Sequence, residues 1–478
     1  MLLVFLLGFV PHAFTFSNGQ PASLVIGQSS FTTSTPTTTA SGLFEPYGLT
    51  FDSSGNLWVS DAGNSRVLEY AHPFSTGMSA SLVIGEPSFT VSIRATTASG
   101  LATPYGMAFD SSGNLWVSDA GNSRVLEYAH PFSTGMSASL VIGQSDFTTG
   151  TSGTTATGLY IPFDLAFDSS GNLWVVDTEN SRVLQYQLSA TGTGTGGNST
   201  TLVNTAQAWT ANQWAGFTVT ITSGTGSGEA GVVAANTANT LTVWSWSGAG
   251  TGPASGSGYS IGSPPDGMSA SLVIGQGSFT TNTRATTASG LIYPYGLTFD
   301  SSGNLWVVDE GNNRVLEYAH PFSTDMSASL VIGQSGFATR TSGTTATGLA
   351  SPFGLTFDSS GNLWVSDTYN NRVLEYSGST STTSSSSTTS SSTSSTSSSA
   401  SLVCPTTLGG TYMPVGATFK DSYGNTWVAP SGNQGGGTWS SYFFTGSQNS
   451  IPAPMLQGWG GDYGTYNGQQ GWIVTFYC

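Results

Sequence analysis

Charge is what this sequence has least of. Only 7% of the 478 residues are charged, Lys and Arg together number nine, and Lys420 is the single lysine. Soluble proteins usually carry roughly a quarter charged residues. With 25 acidic residues the net charge is −16. Nucleic acids and anionic membranes both require clustered cations, so the composition excludes a nucleic-acid binder and disfavours an anionic membrane surface.

Residues that favour helices are scarce as well. Lys, Glu, Gln and Arg are few, whereas the 63 glycines are nearly twice the usual share of about 7%. Long helices, coiled coils and helical bundles are therefore disfavoured. The 13 Trp, 18 Tyr and 25 Phe still supply a large core, and the chain cannot be globally disordered. This composition predicts an all-β protein.

Long apolar runs are limited to the N-terminus. The ten residues Met1–Val10 are apolar, which is too short to span a bilayer at about 20 residues. The run matches the core of a secretory signal peptide, although a positively charged start and a clean cleavage site are missing. We predict a signal peptide over residues 1–19, no transmembrane span, and an extracellular or cell-surface location.

Cysteine is nearly absent. Cys404 and Cys478 are the only two, and both lie in the last 75 residues. They are either one disulfide that staples a small C-terminal domain or two buried thiols. Export favours the disulfide.

An internal repeat is the main signal that the sequence does contain. The segment PYGLTFDSSGNLWV, which begins at Pro46, recurs from Pro104, Pro162, Pro294 and Pro352. Each copy continues into a segment of the form SDAGNSRVLEY. A second block, SLVIG, recurs from Ser23, Ser81, Ser139, Ser271 and Ser329, so that the spacing is 58 residues except for one interval of 132. Five copies in phase indicate a repeat architecture.

Each copy contains four short β-rich segments separated by turn residues. Four strands is the number in one blade of a β-propeller. A β-solenoid is the alternative, but its repeats are usually about 20–30 residues long. The pattern P-x-G-hydrophobic-x-x-D, then G-N-hydrophobic-W-V, then D-x-x-N-x-R-V resembles the NHL repeat of β-propellers. That resemblance implies that the P-x-G strand lines the central channel and that three more strands follow outward.

The number of blades is five or six. NHL propellers usually have six, whereas five copies are present here over residues 20–376. Ser23–Gly27 precede the first blade and the last copy has no outer strand after it. We therefore predict that Ser23–Gly27 supply the outer strand of the last blade and close the ring, which removes its open edges.

Three segments stand apart from the repeat. Residues 188–266 are an insertion whose polar and apolar residues alternate with period two, which predicts β structure. It is a small module or a degenerate sixth blade, and the lack of every blade motif favours the module. Residues 377–399 are almost all Ser and Thr and read as an extended linker. Residues 400–478 read as a separate β domain that contains the two cysteines.

Charged residues that recur in every blade are predicted to be structural. An Asp precedes each blade Arg by five positions, as Asp61 precedes Arg66, and the two could pair across a hairpin. The Asp of each DSSG turn can bond its own backbone. His72, His130 and His320 lie in peripheral loops of different blades and cannot converge on one metal. The sequence therefore predicts no catalytic residues, no metal site and no cofactor.

One aromatic position recurs where the channel-lining strands begin. Equivalent positions of a propeller meet near its axis, so these side chains should converge with Asp164, which replaces the glycine of P-x-G in the third copy. They either plug the axis or form a platform for a ligand. The candidate ligand-binding residues are Tyr47, Tyr105, Phe163, Asp164, Tyr295 and Phe353.

These observations predict a secreted or cell-surface propeller that binds a glycan or a peptide at the channel mouth. The acidic chain with few cations suits a neutral ligand. The alternative is a propeller enzyme of the lyase or lactonase type with a site in the central channel. A structural envelope protein is a third possibility.

Overall fold

A computed structural model describes residues 21–377 in full, and five strands between residues 411 and 476 by their backbone alone. The predicted signal peptide, the linker after Ser377, and Cys404 and Cys478 lie outside the residues so described. Contacts divide the chain into two compact units, residues 1–381 and 382–478.

The first unit is a five-blade β-propeller, and each blade is an antiparallel meander. Blade 1 contains β1 Pro46–Phe51, β2 Leu57–Asp61, β3 Arg66–Tyr70 and β4 Leu82–Ile84. Blade 2 contains β5 Pro104–Phe109, β6 Leu115–Asp119, β7 Arg124–Tyr128 and β8 Leu140–Ile142. Blade 3 begins with β9 Pro162–Phe167, β10 Leu173–Asp177 and β11 Arg182–Tyr186.

The insertion interrupts blade 3 and forms a seven-stranded sheet of its own, in the order β12-β18-β15-β16-β17-β14-β13. These strands are β12 Ala190–Thr193, β13 Gly196–Asn198, β14 Thr201–Val203, β15 Thr218–Ser223, β16 Ala230–Asn236, β17 Thr240–Val243 and β18 Gly258–Gly262. None of them joins a blade sheet, so the segment is a module and not a sixth blade.

The chain then returns to the propeller. The outer strand of blade 3 is β19 Leu272–Ile274. Blade 4 contains β20 Pro294–Phe299, β21 Leu305–Asp309, β22 Arg314–Tyr318 and β23 Leu330–Ile332. Blade 5 contains β24 Pro352–Phe357, β25 Leu363–Asp367 and β26 Arg372–Tyr376. The described strands of the second unit are β27 Thr411–Pro414, β28 Thr418–Lys420, β29 Thr426–Val428, β30 Trp459–Tyr466 and β31 Gln469–Phe476. They pair as β27-β31-β30 and β28-β29.

The DSSG turn joins the first two strands of a blade through one carboxylate. In blade 1, Asp52 Oδ1 accepts from the backbone N–H groups of Ser54 and Asn56, both at 2.9 Å. Asp52 Oδ2 accepts from Asn56 Nδ2 and from Trp58 Nε1 at 3.1 Å. The predicted structural role of the turn aspartates is thereby confirmed.

The core lies between neighbouring blades. Trp58 of blade 1 is fully buried and packs with Met107, Leu115 and Val117 of blade 2. The same Trp position is buried in blades 2, 3 and 4. Burial of side chains of this size stabilises the fold by about 2–3 kcal/mol each.

A buried ion pair ties the second hairpin of each blade to the preceding connection. In blade 2, Arg124 Nε lies 2.7 Å from Asp119 Oδ2, and neither side chain is exposed. Arg124 also donates to the carbonyls of Phe147, Thr97 and Gly100. All five blades contain this pair, as predicted, and only in blade 5 is the arginine, Arg372, partly exposed. The additional hydrogen bonds are needed because a buried charge is stable only when it is paired and hydrogen-bonded.

The ring is open, and the structure here differs from the closure prediction. Among the described strands, none pairs with the outer side of β26, so the sheet of blade 5 has three strands and not four. Ser23–Gly27 form no strand and lie against blade 1, where the N–H of Gly77 donates to the carbonyl of Val25 at 3.0 Å. Blades 1 and 5 do not pack on each other, since Leu49 of blade 1 is 68% exposed and Val373 of blade 5 is 62% exposed, and this separation leaves the segment out of reach of β26.

Candidate binding site at the propeller axis

The five recurring aromatic side chains converge as predicted. Each is the second residue of a first strand, at a point where the pairing with the second strand shifts register in a bulge. Successive ring centroids lie 4.3–4.8 Å apart along the series Tyr47, Tyr105, Phe163, Tyr295 and Phe353. We call these five residues the axial cluster.

The five rings of the axial cluster contact one another but remain partly exposed. Tyr105, Phe163, Tyr295 and Phe353 are half-buried, and Tyr47 is 54% exposed. Burial raises the pKa of Tyr105 and of Tyr295 above the ordinary phenol value, so both hydroxyls remain protonated donors. The five rings therefore pack on one another and also present aromatic surface with hydrogen-bonding groups.

The glycine of P-x-G allows the first strands to approach each other. A Cβ atom at Gly48 would lie 2.2 Å from the Tyr105 carbonyl oxygen, and one at Gly296 would lie 2.8 Å from the Phe353 carbonyl oxygen. A side chain is thus excluded where the neighbouring backbone passes. This close approach is what brings the five rings together.

Asp164 occupies the glycine position of blade 3 and links three blades. Its Oδ1 accepts from the N–H of Leu165 at 2.9 Å, and its Oδ2 accepts from the N–H of Leu297 in blade 4 at 3.2 Å. Its carboxylate also fills the space beside Gly106 of blade 2. Burial raises the pKa of Asp164 to about 6. Each oxygen keeps a further lone pair, so the group can hold the blades together and still accept from a ligand.

Charged residues near the axial cluster were not anticipated: Arg94 lies close enough to act electrostatically on Tyr105, and Glu179 on Tyr295. Arg284 stacks over Tyr293 with its guanidinium carbon 3.9 Å from the ring centroid, and its Nη2 lies 3.4 Å from Glu179 Oε2. Arg94 and Arg284 occupy equivalent places in the shared motif RATTASG. That repeated motif was the signal available in the sequence.

Cavities between neighbouring blades lie at the ends of the first strands, whereas the axial cluster lies at their beginnings. The groove between blades 1 and 2 has a volume of about 450 Å³ and is lined by Asp52, Glu69, Asp110, His130 and Phe132, among others. Within the described residues no three His, Cys, Asp or Glu side chains are grouped closely enough to hold a metal ion. His72, His130 and His320 belong to separate loops.

The tryptophans of the module are divided between core and surface. Trp209 is 8% exposed and Trp214 is fully buried, so both belong to the core. Trp244 is 77% exposed. The part of the chain that the structure describes contains no helix with the length and apolar character needed to cross a membrane.

The family of the repeat follows from two blades. The NHL repeat matches residues 159–186 and 349–376, which contain the first three strands of blades 3 and 5. The other three blades repeat the same motif in the same strands. The chain is an NHL-repeat β-propeller.

Among solved structures, the NHL propeller is similar to several other proteins at low sequence identity. A virginiamycin B lyase from Staphylococcus aureus, solved with quinupristin, is 12% identical over 72% of each chain, with a TM-score of 0.32. A gluconolactonase from Xanthomonas campestris is 14% identical over 70% of this chain and 76% of that chain, with a TM-score of 0.32.

An auxiliary nutrient binding protein from Bacteroides ovatus is 9% identical over 70% of this chain and 59% of that chain, with a TM-score of 0.35. No curated protein shows significant sequence similarity. Similarity at this level does not bear on what the NHL propeller binds.

Proposed function

We propose that this NHL-repeat propeller is a secreted or cell-surface binding protein, and that the axial cluster holds a glycan or a peptide. The observation that carries the proposal is the convergence of five half-exposed aromatic rings at one mouth of the axis. Aromatic faces stack on sugar rings and on apolar side chains, and tyrosine hydroxyls add hydrogen bonds.

The charges around the cluster support a neutral or weakly polar ligand. The nearby Arg284 is already paired with Glu179 and stacked on Tyr293. Asp164 adds one carboxylate that can accept from a sugar hydroxyl or a peptide N–H. Location outside the cell rests on the apolar N-terminus and the Ser/Thr-rich linker of the sequence.

A glycan and peptide array probed with the full chain identifies the ligand, and paired variants then locate it. We expect Tyr105→Ala with Tyr295→Ala to reduce binding at least tenfold, because both rings and both hydroxyls are lost. Trp244→Ala is the matched control, since it removes an exposed aromatic ring away from the axis. Loss of binding in the control with retention in the double variant would place the ligand on the module and overturn the proposal.

A propeller enzyme acting at the same axis is the second candidate. Asp164 favours it, because a carboxyl with a pKa near 6 is suited to proton transfer near neutral pH. A panel of lactones followed by acid release in a pH-stat tests this. Turnover that disappears in Asp164→Asn would favour the enzyme over the binding protein.

A further inference from the structure

One triplet of the inserted module, Asn198 with Ser199 and Thr200, is the only Asn-x-Ser/Thr sequence in the chain. Asparagine recurs in every blade, but there the residue two positions later is never Ser or Thr. Two residues after Asn64, for example, comes Arg66, which forms the buried ion pair. Asn-x-Ser/Thr, with any middle residue except proline, is the acceptor sequence of N-linked glycosylation. The module therefore contains a motif that the repeat does not supply.

The triplet lies at the tip of a β-hairpin. Asn198 ends β13 and pairs with Thr201, the first residue of β14, so Ser199 and Thr200 form the turn between the two strands. All three residues of the triplet are exposed. An enzyme can therefore reach the asparagine in the folded module, as an acceptor on a surface turn requires.

The hydrogen bonds of this turn use only one of the two polar atoms in the Asn198 side chain. Asn198 Oδ1 accepts from the N–H of Thr200 at 2.8 Å and from Thr200 Oγ1 at 3.1 Å. Within the described residues, Asn198 Nδ2 makes no hydrogen bond. A turn of this type needs only the side-chain oxygen, which an aspartate also supplies. The turn therefore does not explain why residue 198 is an asparagine.

The backbone of the hairpin tip is held by the rest of the module. The carbonyl of Asn198 accepts from Nε1 of Trp246 at 3.1 Å, and Trp246 is buried. The carbonyl of Thr200 accepts from the N–H of Val243 at 2.9 Å. The acceptor amide is thus attached to a hydrogen-bonded part of the sheet.

An exposed tryptophan lies on the same face of the sheet as the acceptor. Asn198 is opposite Thr201, and Thr201 is opposite Thr242, so these three residues share one face and lie two strand spacings, about 10 Å, apart. Leu241, next to Thr242, is fully buried on the other face. Trp244 follows Thr242 by two positions and is 77% exposed. A group attached to Asn198 therefore extends over the face that presents this indole ring.

We propose that Asn198 carries an N-linked glycan and that the first sugars of this glycan cover Trp244. The free amide nitrogen at the hairpin tip is the point of attachment. The apolar face of a sugar ring can pack on an indole ring, which gives the most exposed tryptophan of the described residues a partner. The proposal rests on the proposed location outside the cell, because this modification is made on exported chains.

The modification is a substitution at the anomeric carbon of the donor sugar. The donor is a glycan linked through that carbon to the phosphate of a lipid carrier. A bond forms between Asn198 Nδ2 and the anomeric carbon, and the bond between that carbon and the phosphate oxygen breaks. The lipid phosphate leaves with the electron pair of the broken bond, and one Nδ2 proton is released. Nothing is oxidised or reduced.

Glycopeptide mass spectrometry of the full chain, isolated from the cells that produce it, tests the attachment. We expect the peptide that contains Asn198 to carry a sugar mass on the asparagine. Asn198→Asp keeps the oxygen that the turn uses and should remove the sugar without unfolding the module. Thr200→Ala should also remove the sugar, whereas Thr200→Ser should retain it. Thr201→Ala, one residue outside the triplet, is the matched control and should be modified like the parent chain.

Two results of this experiment would overturn the proposal. The first is an unmodified Asn198 in the parent chain, and the second is a sugar that persists in Thr200→Ala. Binding of the Asn198→Asp chain to the glycan and peptide array separates this question from the proposed function. Array binding by a parent chain without sugar would refute the glycan alone, whereas a glycosylated chain that binds nothing would refute only the ligand site at the axis.

Hydroxyl-radical footprinting tests whether the sugars cover the indole ring. We expect Trp244 to be oxidised at least twofold more slowly in the glycosylated parent than in Asn198→Asp, because a packed sugar shields the ring. Tyr369 of blade 5 is 74% exposed and is the internal control, with equal oxidation in the two chains. Equal oxidation of Trp244 in both chains would contradict the contact between the glycan and this tryptophan.

Discussion

At the scale of single residues, Asp164 is the departure from the repeat with the most chemical consequence. The sequence marks it, because every other copy has glycine there. Its bond to the N–H of Leu297 could not be predicted, because 133 residues and the whole module separate the two. The contact arises only when neighbouring first strands meet at the axis.

The raised pKa of Asp164 makes stability depend on pH. The folded chain holds this proton more tightly than the unfolded chain, with a pKa of about 6 against 3.8. Asp164 therefore destabilises the fold as the pH rises from about 4 to 6. We expect Asp164→Asn to gain stability relative to the parent over that window, by at most about 3 kcal/mol.

Urea unfolding at pH 4 and pH 7 measures this difference. Asp325→Asn, on an exposed loop, is the control and should show no such gain. An Asp164→Asn variant that becomes relatively less stable at pH 7 would show that the ionised carboxylate is the form the fold prefers.

The buried tyrosine that ends the third strand of each blade gives a second test. The hydroxyl groups of Tyr70, Tyr128, Tyr186, Tyr318 and Tyr376 have no hydrogen-bond partner among the described residues. Removal of a buried polar group without a partner is neutral or stabilising.

We expect Tyr128→Phe to leave the free energy of unfolding unchanged or to raise it by about 1 kcal/mol. The control is Tyr259→Phe in the module, whose hydroxyl accepts from Asn204 Nδ2 at 3.0 Å, and which should lose about 1 kcal/mol. Denaturant titration compares the two. A destabilised Tyr128→Phe would reveal a partner for the hydroxyl, such as a buried water.

At the scale of elements, the Asp–Arg pair holds the second hairpin of each blade in place. We expect Arg124→Met to lower the free energy of unfolding by about 3–5 kcal/mol, because Asp119 would stay buried without its charge partner. Arg284→Met removes the half-exposed pair with Glu179 and should cost less than about 1 kcal/mol.

Thermal and urea unfolding of both variants measure the contrast. If both variants lost the same free energy of unfolding, the buried pair would contribute no more than a surface pair. The backbone turns would then be what holds the hairpin in place.

Blade elements were predictable from the sequence, but the burial within the module was not. Five copies of PYGLTF, LWV and RVLEY fix the strands because each copy repeats the same turn residues. In the module, period-two alternation predicts strands but cannot say which face turns inward. Trp214 follows Asn212 and Gln213 and Trp244 precedes Ser245, so both have polar neighbours, yet Trp214 is fully buried and Trp244 is 77% exposed.

At the scale of the whole molecule, the sequence predicted a propeller and a common axis for the five aromatic residues. Equivalent positions of a repeat meet at the axis whatever the distance along the chain, so Phe163 and Tyr295 are neighbours at 4.7 Å despite the insertion between them. The open ring could not be predicted, because the repeat shows which strands are equivalent and not whether blades 1 and 5 pack on each other.

Hydrogen–deuterium exchange of the full chain with its array-identified ligand tests the binding site most directly. We predict that protection on binding falls on the peptides that begin the first strands β1, β5, β9, β20 and β24, because these carry the axial cluster. Protection confined to residues 190–262 or to residues 400–478, with the five first strands unchanged, would contradict a ligand site at the propeller axis.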